Sequence, residues 1–163
     1  MRAVQAMEKK PKAEFTVSGR ISKPVHEVFE AVVDPQKLSG YFTTGGAVGR
    51  MVAGTSVIWN FHDFPGAVPV KVTELVPDEK IVLNWQAADS GGENGPAYDT
   101  EVTMGFSALD DGRTLVTIHE TGWHDSAAGH KASYGNCEGW TGMLCALKVY
   151  LEHGFNLRDG FYK

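Results

Sequence analysis

The chain has 163 residues, 42% hydrophobic and 21% charged, with a formal net charge of -5 and a pI near 5.6. That length suits one domain with its own core, burying roughly two-thirds of the surface its unfolded form would expose. An acidic balance with no concentrated basic face argues against a nucleic-acid surface, and no apolar run is long enough to cross a bilayer.

Residues 1–13 show no hydrophobic periodicity and are expected to be a disordered tail, with one domain over 14–158 and a C-terminal tail over 159–163. Lys9, Lys10 and Lys12 are read as a solvated arm. The opening MRAVQAMEKKPK meets charge after only a few apolar residues, so it is not read as a secretory leader and a cytoplasmic location is expected.

From Glu14, Phe15, Val17 and Gly19 alternate with polar neighbours and predict a first strand. Ser22 offers an N-cap and Pro24 suits a first helical turn, after which Val25, Val28, Phe29 and Val32 recur at helical spacing. Asp34-Pro35 should stop that helix, because the residue before proline avoids the α region. A second short helix is expected through Leu38 to Phe42, ended by Gly45-Gly46.

The period then becomes two. SVIWNFHDF sets Val57, Trp59, Phe61 and Asp63 on one face, with Ile58, Asn60, His62 and Phe64 on the other. AVPVKVTELV aligns Val68, Val70, Val72 and Glu74, and KIVLNWQ aligns Ile81, Leu83 and Trp85. ADSGGENGP, between Ala88 and Pro96, is a glycine-rich hairpin loop. Val102, Met104 and Phe106 alternate in the next strand, and Asp110-Asp111-Gly112 turns it into RTLVTIHETG. These are antiparallel neighbours with one covered face.

Last, Trp140, Leu144, Leu147 and Leu151 repeat at spacings of four, three and four. A helix over about 133–153 follows, with Ser133 as N-cap and Gly154 just past its end, roughly 30 Å long. Cys137 and Cys145 would lie about 12 Å apart along it, beyond disulfide reach, and read as free thiols of a reducing compartment.

Strand, two short helices, a meander of five or six strands and a long final helix is the helix-grip order, an α+β fold. ISKPVHEVFEAVVDPQKLSGYF resembles the opening of the family of homologues of the heat-shock-protein-90 ATPase activator, within the START-like (SRPBCC) superfamily. VTELVPDEKIVLNW resembles that family's central hairpin, and LDDGRTLVTIHETG and EGWTGMLCALKVYLEHG its last strand and Gly-Trp helix. The resemblance spans Glu14 to Gly154 and implies a curved antiparallel sheet wrapped around the last helix. In the eukaryotic co-chaperone this fold is one of two domains, so the fold and its cavity carry over more readily than chaperone activation. Two departures are Gly142 inside the helix and the loop at 88–96.

TIHETGWHDSAAGH gathers three histidines, a glutamate and an aspartate, but strand alternation separates them. Glu120 shares the inward face with Val116 and Ile118, whereas His119 faces the other way. His124, Asp125 and His130 follow in a loop at no compact zinc spacing, so no metal is expected; Asp125 is read as capping a short helical turn near Ser126. Glu120 is either a ligand anchor or general acid/base, or a strand-end glutamate that reaches solvent or is bonded to the indole N–H of Trp85 or Trp140, since a buried carboxylate needs partners.

The expected ligand pocket comprises Trp59, Phe61, Trp85, Val102, Met104, Ile118, Glu120, Trp140, Leu144 and Leu147, with its mouth near Tyr41, Phe42 and the loops after Phe64 and Ala87. Phosphate loops, dinucleotide glycine patterns and nucleophile elbows are missing from the sequence, so neither a cofactor nor a catalytic residue is assigned. The leading expectation is therefore a non-enzymatic protein binding an unknown small apolar or aromatic ligand. The alternatives are a protein-interaction module and, by analogy with superfamily cousins, a polyketide cyclase or dehydratase. Either a monomer or a homodimer fits the sequence.

Overall fold

The computed structural model describes residues 12–163; the tail expected over residues 1–11 lies outside them. A first strand, β1 (Phe15–Ile21), is followed by α1 (Val25–Val33) and α2 (Pro35–Leu38). Six strands come next: β2 (Gly46–Val48), β3 (Ser56–Phe61), β4 (Phe64–Val76), β5 (Lys80–Gln86), β6 (Asp99–Ala108) and β7 (Thr114–Thr121). The chain then enters the long helix α3 (Ala127–His153).

The seven strands form one sheet in the order β1-β7-β6-β5-β4-β3-β2, and every neighbouring pair is antiparallel. β1 and β2 hold opposite edges, so α1 and α2 carry the chain from one edge to the other. One face of the sheet is covered. In β7 burial alternates strictly, with Thr114, Val116, Ile118 and Glu120 buried, as a period of two requires. Trp140, Met143, Leu144, Ala146 and Leu147 of α3 join Leu83, Met104 and Ile118 in the same core. The fold is the α+β helix-grip arrangement expected. Truncating a fully buried member such as Leu147 to alanine removes about 2–5 kcal/mol of stability.

Several boundaries differ from the sequence reading. Ser22 does not cap α1; Pro24 is the cap residue, and it makes no side-chain capping bond. Asp34 ends α1 and also starts α2, its carboxylate accepting from the backbone N–H of Gln36 and Lys37 at 2.8 and 3.3 Å. Hence α2 begins at Pro35, the first-turn position that proline tolerates, and ends before Phe42.

The strand predicted through Phe64 breaks at His62-Asp63, where Phe61 pairs with Phe64 across a two-residue turn. A register shift between Val72 and Glu74 turns Glu74 out to solvent and Leu75 towards the core, an ordinary effect of one extra residue in a strand.

Helix α3 starts six residues earlier than predicted. Ser126 is its cap and accepts from the Gly129 N–H at 3.0 Å, whereas Ser133 is interior and donates back to the His130 carbonyl. At 27 residues α3 is about 40 Å long. Gly154 closes it with φ 74°, a left-handed geometry glycine adopts without a Cβ penalty.

Ala13, expected in the tail, is buried with Ala87 and Trp123. The loop between β5 and β6 is tied at its base, Ala87 N–H to Tyr98 O at 2.9 Å, with the Tyr98 hydroxyl on Asp89. No helix among the described residues is long and apolar enough to cross a membrane.

Candidate functional site

Glu120 is fully buried and sits at the end of β7 facing α3. Its Oε1 accepts from Trp85 Nε1 at 2.9 Å, the Thr100 hydroxyl at 2.7 Å and Asn136 Nδ2 at 3.0 Å. Its Oε2 accepts from Trp140 Nε1 at 2.8 Å and Asn136 Nδ2 at 3.1 Å. Indoles can only donate, so both oxygens act as acceptors and the asparagine presents its NH₂. The carboxylate thus ties β5, β6, β7 and α3 together, and it is the indole-held alternative that the structure realises.

Around this knot lies an aromatic block. The Trp85 and Trp140 ring centroids are 5.2 Å apart, Phe42 stacks on Trp140 at 5.6 Å, and Phe61 meets Phe42 edge-on at 5.1 Å. Trp59 stands behind them, buried.

Two cavities flank the block. The larger, about 520 Å³, lies between α3 and the ends of β3, β4 and β5; Phe61, Trp85, Asn136 and Trp140 form part of its wall. The smaller, about 430 Å³, lies between α3 and the C-terminal turn, against Tyr41, Cys137, Met143 and Leu157. They share Phe42, Glu138, Arg158 and Tyr162. Together they form one groove along α3, divided by Arg158 and Tyr162.

Three of the ten expected pocket residues, Phe61, Trp85 and Trp140, line the larger cavity. Trp59, Val102, Met104, Ile118 and Leu147 instead fill the solid core. Glu120 backs the wall through its indole partners. Leu144 faces a separate shallow pocket beside β1. The interior between sheet and helix is packed rather than hollow, because the large side chains of both surfaces meet there; the two cavities open along α3 between Gly135 and Ala146 and beyond the strand ends. Of the expected mouth, Tyr41 lines the smaller cavity, Phe42 both, and Phe64 and Ala88 the larger, although Phe64 opens β4 instead of a loop.

Why the space exists is written in α3. Gly135, Gly139 and Gly142 recur at spacings of four and three, the first two against the larger cavity and the third against the smaller. A Cβ built on Gly135 or Gly139 meets nothing within 4 Å, whereas one on Gly142 would stand 2.5 Å from the Tyr162 hydroxyl. The missing side chains strip one stripe of the helix.

The C-terminal residues were not expected to take part. Arg158 is buried and clamps Asp63 with two bonds, Nε to Oδ2 at 3.0 Å and Nη2 to Oδ1 at 2.9 Å. Its guanidinium also lies over Phe61 at 4.7 Å and Tyr162 at 5.1 Å. Asp63, placed by alternation on the same face as Phe61, is thus half of a buried ion pair spanning 95 residues of sequence. No local pattern could have linked the two; the helical glycine stripe was the available signal for the groove.

The histidines disperse. His119 bonds the Thr16 hydroxyl at 3.0 Å, His124 stacks on Tyr98, and His130 meets Asp125 at 3.2 Å. Among the described residues no three His, Cys, Asp or Glu side chains converge as a metal site. Cys137 and Cys145 are free thiols.

Residues 22–152 match the family described as Activator of Hsp90 ATPase homolog 1-like protein. The chain belongs to that family. Solved structures place the Hsp90-activator-like fold in wide company. SSP2350 from Staphylococcus saprophyticus is 26% identical with a TM-score of 0.70, over 89% of this chain and 96% of the other. DynU16, from the dynemicin biosynthetic locus, is 22% identical with a TM-score of 0.73, over 89% of this chain and 49% of that one. The Aha1 protein from Colwellia psychrerythraea, solved as a dimer, is 23% identical with a TM-score of 0.68, over 86% and 97%. No curated protein matches.

Proposed function

We propose that this family member binds a small apolar or aromatic molecule in the groove along α3, with Glu120 holding the wall rather than touching the ligand. The observation that carries the reading is the pair of adjoining cavities of about 520 and 430 Å³, walled by aromatic rings where α3 lacks side chains. Volumes in this range match small-molecule sites, which are mostly apolar with a few polar groups. The polar groups here include Gln86, Asn136, Glu138, Thr141, Arg158 and the Tyr162 hydroxyl. The free thiols fit a reducing compartment such as the cytoplasm.

N-phenyl-1-naphthylamine, a neutral aromatic dye that brightens in apolar surroundings, tests this directly. It should bind the wild type with a micromolar Kd. Gly139→Leu should abolish binding while raising the melting temperature, because the new side chain enters empty space and improves helix propensity by about 1 kcal/mol. Dye binding that is absent in the wild type, or unchanged in Gly139→Leu, would overturn the reading.

A second reading, a protein-recognition surface, is supported by the exposed rings of Phe64 and Phe161, which line the cavities, and by a family named for a chaperone activator. Capture of a partner or a second copy that persists in Gly139→Leu would favour that surface over the groove.

A further inference from the structure

We infer that the groove selects neutral or cationic aromatic ligands and discriminates against aromatic anions. This rests on the binding reading above and goes on to name the ligand's chemistry.

The polarity of the wall follows from what its polar side chains already hold. Asn136 must direct its NH₂ at Glu120, at 3.0 and 3.1 Å, because both glutamate oxygens are also accepting from indoles that have no other role to play. The polar atom left to Asn136 at the cavity is its carbonyl oxygen. Gln86 gives one Nε2 hydrogen to the Ser90 carbonyl at 2.8 Å, which leaves its carbonyl oxygen and one N–H. Both residues line the larger cavity. Both carbonyl oxygens can accept from a ligand, while the second N–H of Gln86 and the Tyr162 hydroxyl can donate to one.

Charge sets the selection. Among the described residues the only cation lining either cavity is Arg158, and both oxygens of the buried Asp63 balance it. Glu138, exposed at the rim shared by the two cavities, adds a carboxylate that no ion pair among the described residues offsets. Counting Arg158, Asp63 and Glu138, the groove is net negative by one. The faces of Trp85, Trp140 and Phe42 reinforce this, since an aromatic face presents negative quadrupole to whatever lies on it. An anion entering here would give up its hydration without gaining a free cation from the lining; Lys163 stands outside that lining, over the Phe64 ring at 5.1 Å.

Two dyes share one ring system and differ in a single sulfonate: N-phenyl-1-naphthylamine, neutral with one N–H, and 8-anilino-1-naphthalenesulfonate. Both are titrated against the full chain by fluorescence near physiological salt, and only the binding that Gly139→Leu removes is compared. The neutral dye should bind about tenfold more tightly or better, the sulfonate paying desolvation against a like charge. Glu138→Lys, an exposed change that should leave the thermal melt in place, should shrink that ratio to about threefold or less. A sulfonate that binds the wild-type groove as tightly as the neutral dye, or a ratio unaltered by Glu138→Lys, overturns the inference and leaves the binding reading standing. Failure of both dyes to bind overturns the two together.

Discussion

At Glu120 the cost of burying a carboxylate is met by donors from three other elements. Four side chains converge on two oxygens, and all are drawn from positions that alternation or helical spacing turns inward. A glutamine there would bring an NH₂ to face indole N–H groups, losing acceptance and leaving donors unpaired. Glu120→Gln should therefore destabilise the protein by about 2–3 kcal/mol, the scale of a buried charged hydrogen bond lost, measured by urea unfolding followed by circular dichroism. A midpoint equal to wild type would show that the knot is incidental. The inward direction of Glu120 and its two indole candidates were legible in the sequence, from the period of two. Thr100 and Asn136 were not, because strand pairing and helix placement, not local pattern, bring them to it.

Among the elements, α1 and α3 show how local preference yields to packing. Three glycines in the interior of α3 each cost about 1 kcal/mol relative to alanine, and in return the helix leaves room for the groove and, at Gly142, for the Tyr162 ring. Further along the core, Tyr41 follows α2, is fully buried, and donates its hydroxyl to the Ala31 carbonyl of α1 at 3.0 Å. Burial, and then the neighbouring Tyr150, hold its phenol well above the usual 10.0. With the folded value raised above the unfolded one, this contribution is complete below pH 10 and lost as the pH climbs through the folded value. Tyr41→Phe should cost about 1 kcal/mol at neutral pH through the lost hydrogen bond. It should also flatten the fall in melting temperature above pH 10, which melts recorded across the alkaline range would reveal. An unchanged alkaline limb would place that sensitivity elsewhere.

On the scale of the whole molecule, the Asp63–Arg158 pair fastens the C-terminal turn to the β3–β4 hairpin and closes the partition between the two cavities. Removing one partner strands a buried charge. Arg158→Ala should cost about 3–5 kcal/mol, while the double variant Asp63→Leu/Arg158→Met should recover most of that, since well-packed apolar replacements of buried pairs are often neutral. Thermal melts of the single and double variants decide it; a double variant as unstable as the single would mean that the pair's geometry, rather than its charge balance, holds the turn.

What the sequence determined by itself was the succession of elements, their inward faces and the family. Periods of two and 3.6 are properties of neighbouring residues, as in Val116, Ile118 and Glu120, or in Trp140, Leu144 and Leu147. Cap positions were less secure, because several serines compete for each helix start and packing chooses among them, as it chose Ser126 over Ser133. The tertiary structure alone decided where the interior is solid and where it is open. Trp59, Met104 and Leu147 carry the same apolar signature as Phe61 and Trp85, yet the first three are packed on all sides and the last two border space. That difference depends on what stands opposite each residue: a leucine in one place, a glycine of α3 or an arginine from the end of the chain in another.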